Sequence, residues 1–128
     1  MKVPTWGSGN VDTDWQIAAE KIGNQLQDIA PHWLVIVGGI DYQLDLTGVL
    51  KKPVNLKVPN KLVYSGHFYG FSWVFGVWDL RSEDAFRQKL FNDQLFVRGL
   101  GNGVPFLLGE FGSNQPDIPW TFLMKILK

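Results

Sequence analysis

Residues 33–38, Trp-Leu-Val-Ile-Val-Gly, form an unbroken apolar run rich in β-branched side chains, ended by Gly38-Gly39. A run this short that never alternates with polar residues predicts a strand buried on both faces, the arrangement of parallel sheets. Parallel neighbours require crossover connections, so the rest of the chain has to supply helices between strands. It does. Residues 12–29 carry Trp15, Ala18, Ala19, Ile22, Leu26 and Ile29 at helical spacing, with Asp12 or Thr13 as cap, a Thr13/Gln16 capping-box spacing, and Pro31 as the stop.

Further along, residues 62–65 (Leu-Val-Tyr-Ser) read as a second strand, with His67 and Tyr69 at its carboxyl end. Residues 82–97 read as a helix capped by Ser82, with Glu83 and Asp84 in the first turn and Phe86, Leu90 and Val97 on a buried face. Residues 104–109 (Val-Pro-Phe-Leu-Leu-Gly) read as a third strand ending at Glu110. Residues 39–61, broken by Gly48, Pro53 and Pro59, read as a long loop with a short helical turn, and long loops in compact domains are often functional. A last helix is expected from about Asp117, with Trp120, Leu123 and Leu127 as its buried positions. The order helix, strand, loop, strand, helix, strand, helix gives an α/β chain in one domain, residues 1–128, with a parallel sheet.

That topology gathers chemistry on one edge. The carboxyl ends of parallel strands form a common rim, where active sites are built. Glu110 leaves an apolar strand at that rim, where a carboxylate can be held as rigidly as a nucleophile requires. The competing reading is a solvated or loop-capping Glu. His67 and Tyr69, two apart on an extended segment, point to one side, and together they can hydrogen-bond a carboxylate and a sugar hydroxyl. Their competing reading is a core His and a core Tyr. Six Trp, nine Phe and three Tyr make aromatic faces available, although aromatic rings are more often core than sugar platforms.

Other chemistries are excluded. Twelve basic and twelve acidic residues leave no net charge, hence no field for a nucleic-acid partner. With no Cys and only two His, His32 and His67, no metal-ligand spacing exists, and no cofactor is implied. Gly99, Gly101 and Gly103 precede a strand and do not form a phosphate cradle. The apolar run at 33–40 is far too short to span a membrane. Met1 to Gly7 lacks the apolar run of a signal peptide, so the residues specify no compartment.

The motifs also carry a resemblance. Lys61-Leu62-Val63-Tyr64-Ser65-Gly66-His67-Phe68-Tyr69-Gly70 resembles the His-x-Tyr segment at the sixth strand of glycoside hydrolase family 5, the cellulase family. Gly109-Glu110-Phe111-Gly112 resembles that family's seventh-strand segment. Pro4 to Asn10, then Thr13-Asp14-Trp15 and Ala18-Ala19-Glu20, look like the stretch between its fourth and fifth strands. Four matches in register, along almost the whole chain, are far more specific than any one of them.

The resemblance implies part of a (β/α)8 TIM barrel, about strands 5 to 7. It implies Glu110 as nucleophile in retaining hydrolysis of β-linked polysaccharide or oligosaccharide, with His67 and Tyr69 lining the cleavage subsite. Trp73 and Trp78, in the aromatic loop that follows, are further substrate-binding candidates. Such hydrolysis needs a second carboxyl group ~5 Å from the nucleophile. The family's acid/base Glu belongs to an Asn-Glu-Pro motif that falls just ahead of the segment matched by Lys2 to Asn10, and these 128 residues do not include it. The eighth strand with its sugar-stacking Trp is likewise not among them. Relatives tend to carry Glu where this chain has Gly39, and Asp41 is a weaker candidate for a substitute acid. The expectation is therefore a chain inactive alone. A non-catalytic sugar- or protein-binding remnant, acting through Phe68 to Trp78, is the alternative, and a poorly folded truncated product is a third reading. Three strands of a barrel also expose edges and apolar surface, which predicts self-association or a covering partner. The family is typically secreted.

Overall fold

The structure, a computed structural model, describes residues 2–69, 83–93 and 103–112 together with Thr121, Met124 and Lys125. Helix α1 (Trp15–Ile29) leads into strand β1 (Val35–Gly38), a single 3₁₀ turn follows at Thr47–Leu50, and then come β2 (Leu62–Tyr69), helix α2 (Glu83–Asp93) and β3 (Phe106–Gly112). The three strands are parallel in the order β1-β2-β3, as the alternation of elements predicts. His67, Tyr69 and Glu110 lie within β2 and β3 rather than after them, because pairing of the two strands continues through Tyr69 and Gly112.

α1 starts later than expected. Its cap is Asp14, whose carboxylate accepts from the amides of Gly7 (2.8 Å), Gly9 (2.7 Å) and Gln16 (3.0 Å). Thr13 does not cap; its hydroxyl meets that of Thr5 at 3.2 Å. Burial pushes the Asp14 carboxyl up, but the backbone amides of Gly9, Gly7, Gln16 and Ile17 outweigh it and hold it below its ordinary value.

The buried face of α1 is also not the predicted one. Gln16, Ala19, Gly23 and Gln27 are buried, while Ile22, Leu26 and Ile29 are 50%, 43% and 84% exposed. The reason lies in the segment 53–58, which has no strand partner and must satisfy its backbone polar groups elsewhere. A polar stripe on α1 does this. Glu20 accepts from the amide of Asn55 (2.8 Å) and Asn24 from that of Lys57 (2.8 Å). The Gln27 amide pairs with both the N–H (2.9 Å) and the C=O (3.2 Å) of Val58. Gly23 allows the close approach: a Cβ there would lie 2.7 Å from Leu56 Cδ2 and 3.3 Å from Val35 Cγ1.

Against this helix and loop packs one face of the sheet. Ala19, Val35, Val37, Leu46, Val49, Val54 and Tyr64 form the core, with Trp6 and Phe106 packed on it. The Trp6 indole donates to Lys52 O (2.7 Å), and the Tyr64 hydroxyl accepts from the amide of Val54 (2.9 Å), closing the long loop over the core. The opposite face is open. Ile36 is 55% exposed and Leu107 45%, so β1 is buried on one face, not on both as its unbroken apolar run suggests. The Ser82 cap and Val97 lie outside the described residues, as do Trp120, Leu123 and Leu127. Thr121, Met124 and Lys125 are helical, and Lys125 pairs with Glu83 of α2 at 3.0 Å.

Candidate active site

Alternation along β2 separates its side chains: Tyr64 faces the core, whereas Val63, Ser65, His67 and Tyr69 share the opposite face, where Val63 and Ser65 are still buried and Tyr69 is exposed. On β3 a register shift opposite Gly66 and His67 makes Gly109 the extra residue, and Glu110 is thereby paired with His67. Bulges of this kind re-aim side chains next to sites. The glycines flanking Glu110 make the approach possible. A Cβ at Gly109 would lie 2.9 Å from Ser65 Oγ and 3.4 Å from the His67 ring, and one at Gly112 would lie 3.2 Å from the Tyr69 ring.

Three predicted residues meet here. The Tyr69 hydroxyl donates to Glu110 Oε2 at 2.6 Å, and His67 Nδ1 lies 3.4 Å from the same oxygen. Oε1 has no hydrogen-bond partner among the described residues, so the carboxylate is oriented through one oxygen and presents the other. The hydrogen bond to Glu110 is the main cause of a Tyr69 phenol pKa raised above its ordinary value, with burial and the charge of Glu110 adding to it. His67 is mostly buried and Glu110 half-exposed, the condition of a group held from behind and open in front.

With a carboxylate hydrogen-bonded by a phenol and set beside an imidazole at the rim of a parallel sheet, likeness to known proteins becomes decisive. The model of the cellulase family (glycosyl hydrolase family 5) matches residues 2–119. The chain belongs to glycoside hydrolase family 5. An endoglucanase of Paenibacillus polymyxa is 34% identical over 89% of this family 5 chain and 32% of its own length. The hyperthermophilic endocellulase of the archaeon Pyrococcus horikoshii superposes with a TM-score of 0.75 at 31% identity, covering 97% of this chain and 38% of that one. The complex of that endocellulase with cellotetraose gives 0.72 at 31% identity, over 95% and 38%. The chain thus spans about a third of the length of these relatives, and its parallel three-stranded sheet is part of a (β/α)8 barrel.

The remaining expectations divide. Trp73 and Trp78 lie outside the described residues. Phe68, assigned to the sugar-facing loop, is instead 1% exposed on the core side of β2. Among the described residues no cluster of His, Asp and Glu could hold a metal ion, and no helix is long and apolar enough to cross a membrane. A cleft of about 650 Å³ between Val58, Lys61, Leu62, Val104 and Pro105 lies at the amino ends of β2 and β3, the rim opposite Glu110. Missed from the sequence were Ser65, which sits beneath the Gly109 bulge, and Gln43, whose carbonyl accepts from the amide of His67 at 2.8 Å.

Proposed function

We propose that this chain carries the nucleophile half of a retaining β-glycosidase site, with Glu110 as nucleophile and a β-linked oligo- or polysaccharide as substrate. What supports this best is the convergence of Tyr69 and His67 on Oε2 of Glu110, which leaves Oε1 presented. In such a reaction Oε1 attacks the anomeric carbon as the bond to the leaving oxygen breaks, and water then releases the sugar from the ester. Tyr69 and His67 hold the carboxylate in line and stabilise its changing charge.

The acid/base group is a separate matter. The chain has three Glu. Glu20, on α1, is bound to Gln16 and to the amide of Asn55, and Glu83, on α2, to Arg87 and Lys125, so of the three Glu only Glu110 lies at this rim. A natural leaving group needs protonation, so hydrolysis of natural substrate requires a second carboxyl group at this rim, and neither of the other two Glu supplies it. That favours, for the chain acting alone, a second reading in which the face binds sugar or a partner protein without turning over. A partner, or a second copy, covering Ile36, Leu107 and β1, an edge strand among the described residues, belongs to either reading.

An aryl glycoside with a good leaving group separates the two, because dinitrophenolate departs without a proton. Incubated with 2,4-dinitrophenyl β-cellobioside, the chain is expected to release a burst of about one dinitrophenolate per chain, as accumulation of a glycosyl-enzyme gives. Glu110→Gln is expected to abolish it. A folded chain with no burst contradicts the nucleophile role and leaves the binding reading.

A further inference from the structure

The connection after β1 holds an unusual turn. Asp41, Tyr42 and Gln43 have φ of 53°, 56° and 66°, three successive non-glycine residues in the left-handed region that side chains disfavour. The turn is closed at its base by paired hydrogen bonds between Ile40 and Asp45 (3.0 and 3.2 Å) and inside by Leu44 N–H to Asp41 C=O (2.9 Å). Such conformations persist where the surroundings over-determine them, and they concentrate at functional sites.

Here the surroundings are the end of β1. Gly39 approaches the carbonyl of Asp45 so closely that no side chain fits, and the turn folds back along the strand. Gly38 then leaves room for the Gln43 side chain: a Cβ at Gly38 would lie 2.5 Å from both Cδ and Oε1 of Gln43. Gly38 is the register partner of Ser65, and paired residues of neighbouring strands project to the same side. The Gln43 amide therefore lies on the face that carries Ser65, His67, Tyr69 and Glu110. Its backbone carbonyl takes the His67 amide, fixing the turn to the residue that contacts Glu110. The side-chain amide has no hydrogen-bond partner among the described residues, and it offers two donors and an acceptor.

We propose that Gln43 is a specificity-determining residue of this site, its amide binding a hydroxyl of the sugar beside the one attacked by Glu110. The proposal rests on the glycosidase reading. A neutral amide suits a hydroxyl-rich, uncharged glycan, since it can donate to one hydroxyl and accept from its neighbour. The strained turn supplies rigidity, so the amide is presented without an ordering cost at binding.

The test is titration of the isotope-labelled chain with cellotetraose, followed by NMR. The Gln43 side-chain amide signal, assigned by its loss in Gln43→Gly, is expected to shift on titration. Gln43→Gly keeps the positive φ and removes the amide, and it is expected to weaken binding about threefold to tenfold, the size of one neutral hydrogen bond. Gln43→Asn, shorter by one methylene, is expected to weaken it less. An unshifted His67 backbone amide in both variants establishes that the turn is intact. Tight binding by the parent chain that is unaltered in Gln43→Gly, with a stationary amide signal, overturns this proposal alone. No binding of cellotetraose by the folded parent chain overturns the glycosidase reading and this inference with it.

Discussion

Two neighbours on one strand set the contrast on which this protein is built. Phe68 is 1% exposed, while Tyr69, the next residue, is 39% exposed and gives its hydroxyl to Glu110. The same alternation divides the whole sheet. One face is covered by α1, the 3₁₀ turn and the 53–58 segment, and there apolar volume is the rule. The other is lined by Ser65, His67, Tyr69, Gln43 and Glu110 and flanked by exposed Ile36 and Leu107. Most of the buried apolar core and the candidate site thus lie on opposite faces of one sheet, and substitutions on the two faces should show it.

The largest effect is expected on the covered face. Phe68→Ala should cost about 3–5 kcal/mol by denaturant unfolding, the usual range for deleting a buried aromatic ring. A cost below about 1 kcal/mol would mean that the covered face is not the source of stability. Next comes the cap. Asp14→Ala should cost about 0.5–2 kcal/mol near neutral pH, because three backbone amides lose their acceptor. The Asp14 pKa is depressed in the folded chain, so this stabilisation is present above the ordinary value of 3.8 and disappears as pH falls through the lower folded value. The gap between Asp14→Ala and the parent should therefore close below that range, and a pH-independent gap would remove the charge from the explanation.

On the open face the effects should be small. Ile36→Ser should change stability by no more than about 0.5 kcal/mol in the chain as it stands. A larger loss that depends on protein concentration would reveal a second copy covering the face. Smallest of all is Tyr69→Phe, expected to leave unfolding nearly unchanged. Its readout is spectroscopic: the parent-minus-variant ultraviolet titration should show one phenol ionising above 10.0, held protonated by Glu110. The hydrogen bond is then intact at neutral pH and is lost as pH rises through that raised value. Ionisation at or below 10.0 would break the Tyr69–Glu110 link.

Much of this was legible in the residues. The apolar run at 33–38 and the alternation of elements pointed to the sheet and its parallel sense, and the His-x-Tyr pair and Glu110 after an apolar run pointed to three residues that meet in the candidate site. What was not legible depends on contacts distant in sequence. The apolar positions of α1 suggested a buried stripe, but the buried side is the one carrying Gln16 and Gln27, because an unpaired loop needed polar partners. The polar spacing Gln16, Glu20, Asn24, Gln27 was the available signal. Gln43 was hidden because nothing local predicts three left-handed residues after Gly38-Gly39; only the fold-back against Asp45 explains them. The apolar run of β1 suggested burial on both faces, since sequence records what a strand can bury and not what covers it here.

The central claim is that Glu110 is a working nucleophile, and covalent trapping tests it most directly. The purified chain would be incubated with an activated 2-deoxy-2-fluoro β-cellobioside, which slows release of the glycosyl-enzyme, and then digested and sequenced by mass spectrometry. One fluorocellobiosyl group per chain is expected, on the peptide that contains Glu110 and on that residue. An unlabelled chain that is folded by circular dichroism, or a label on any other carboxylate, would contradict it.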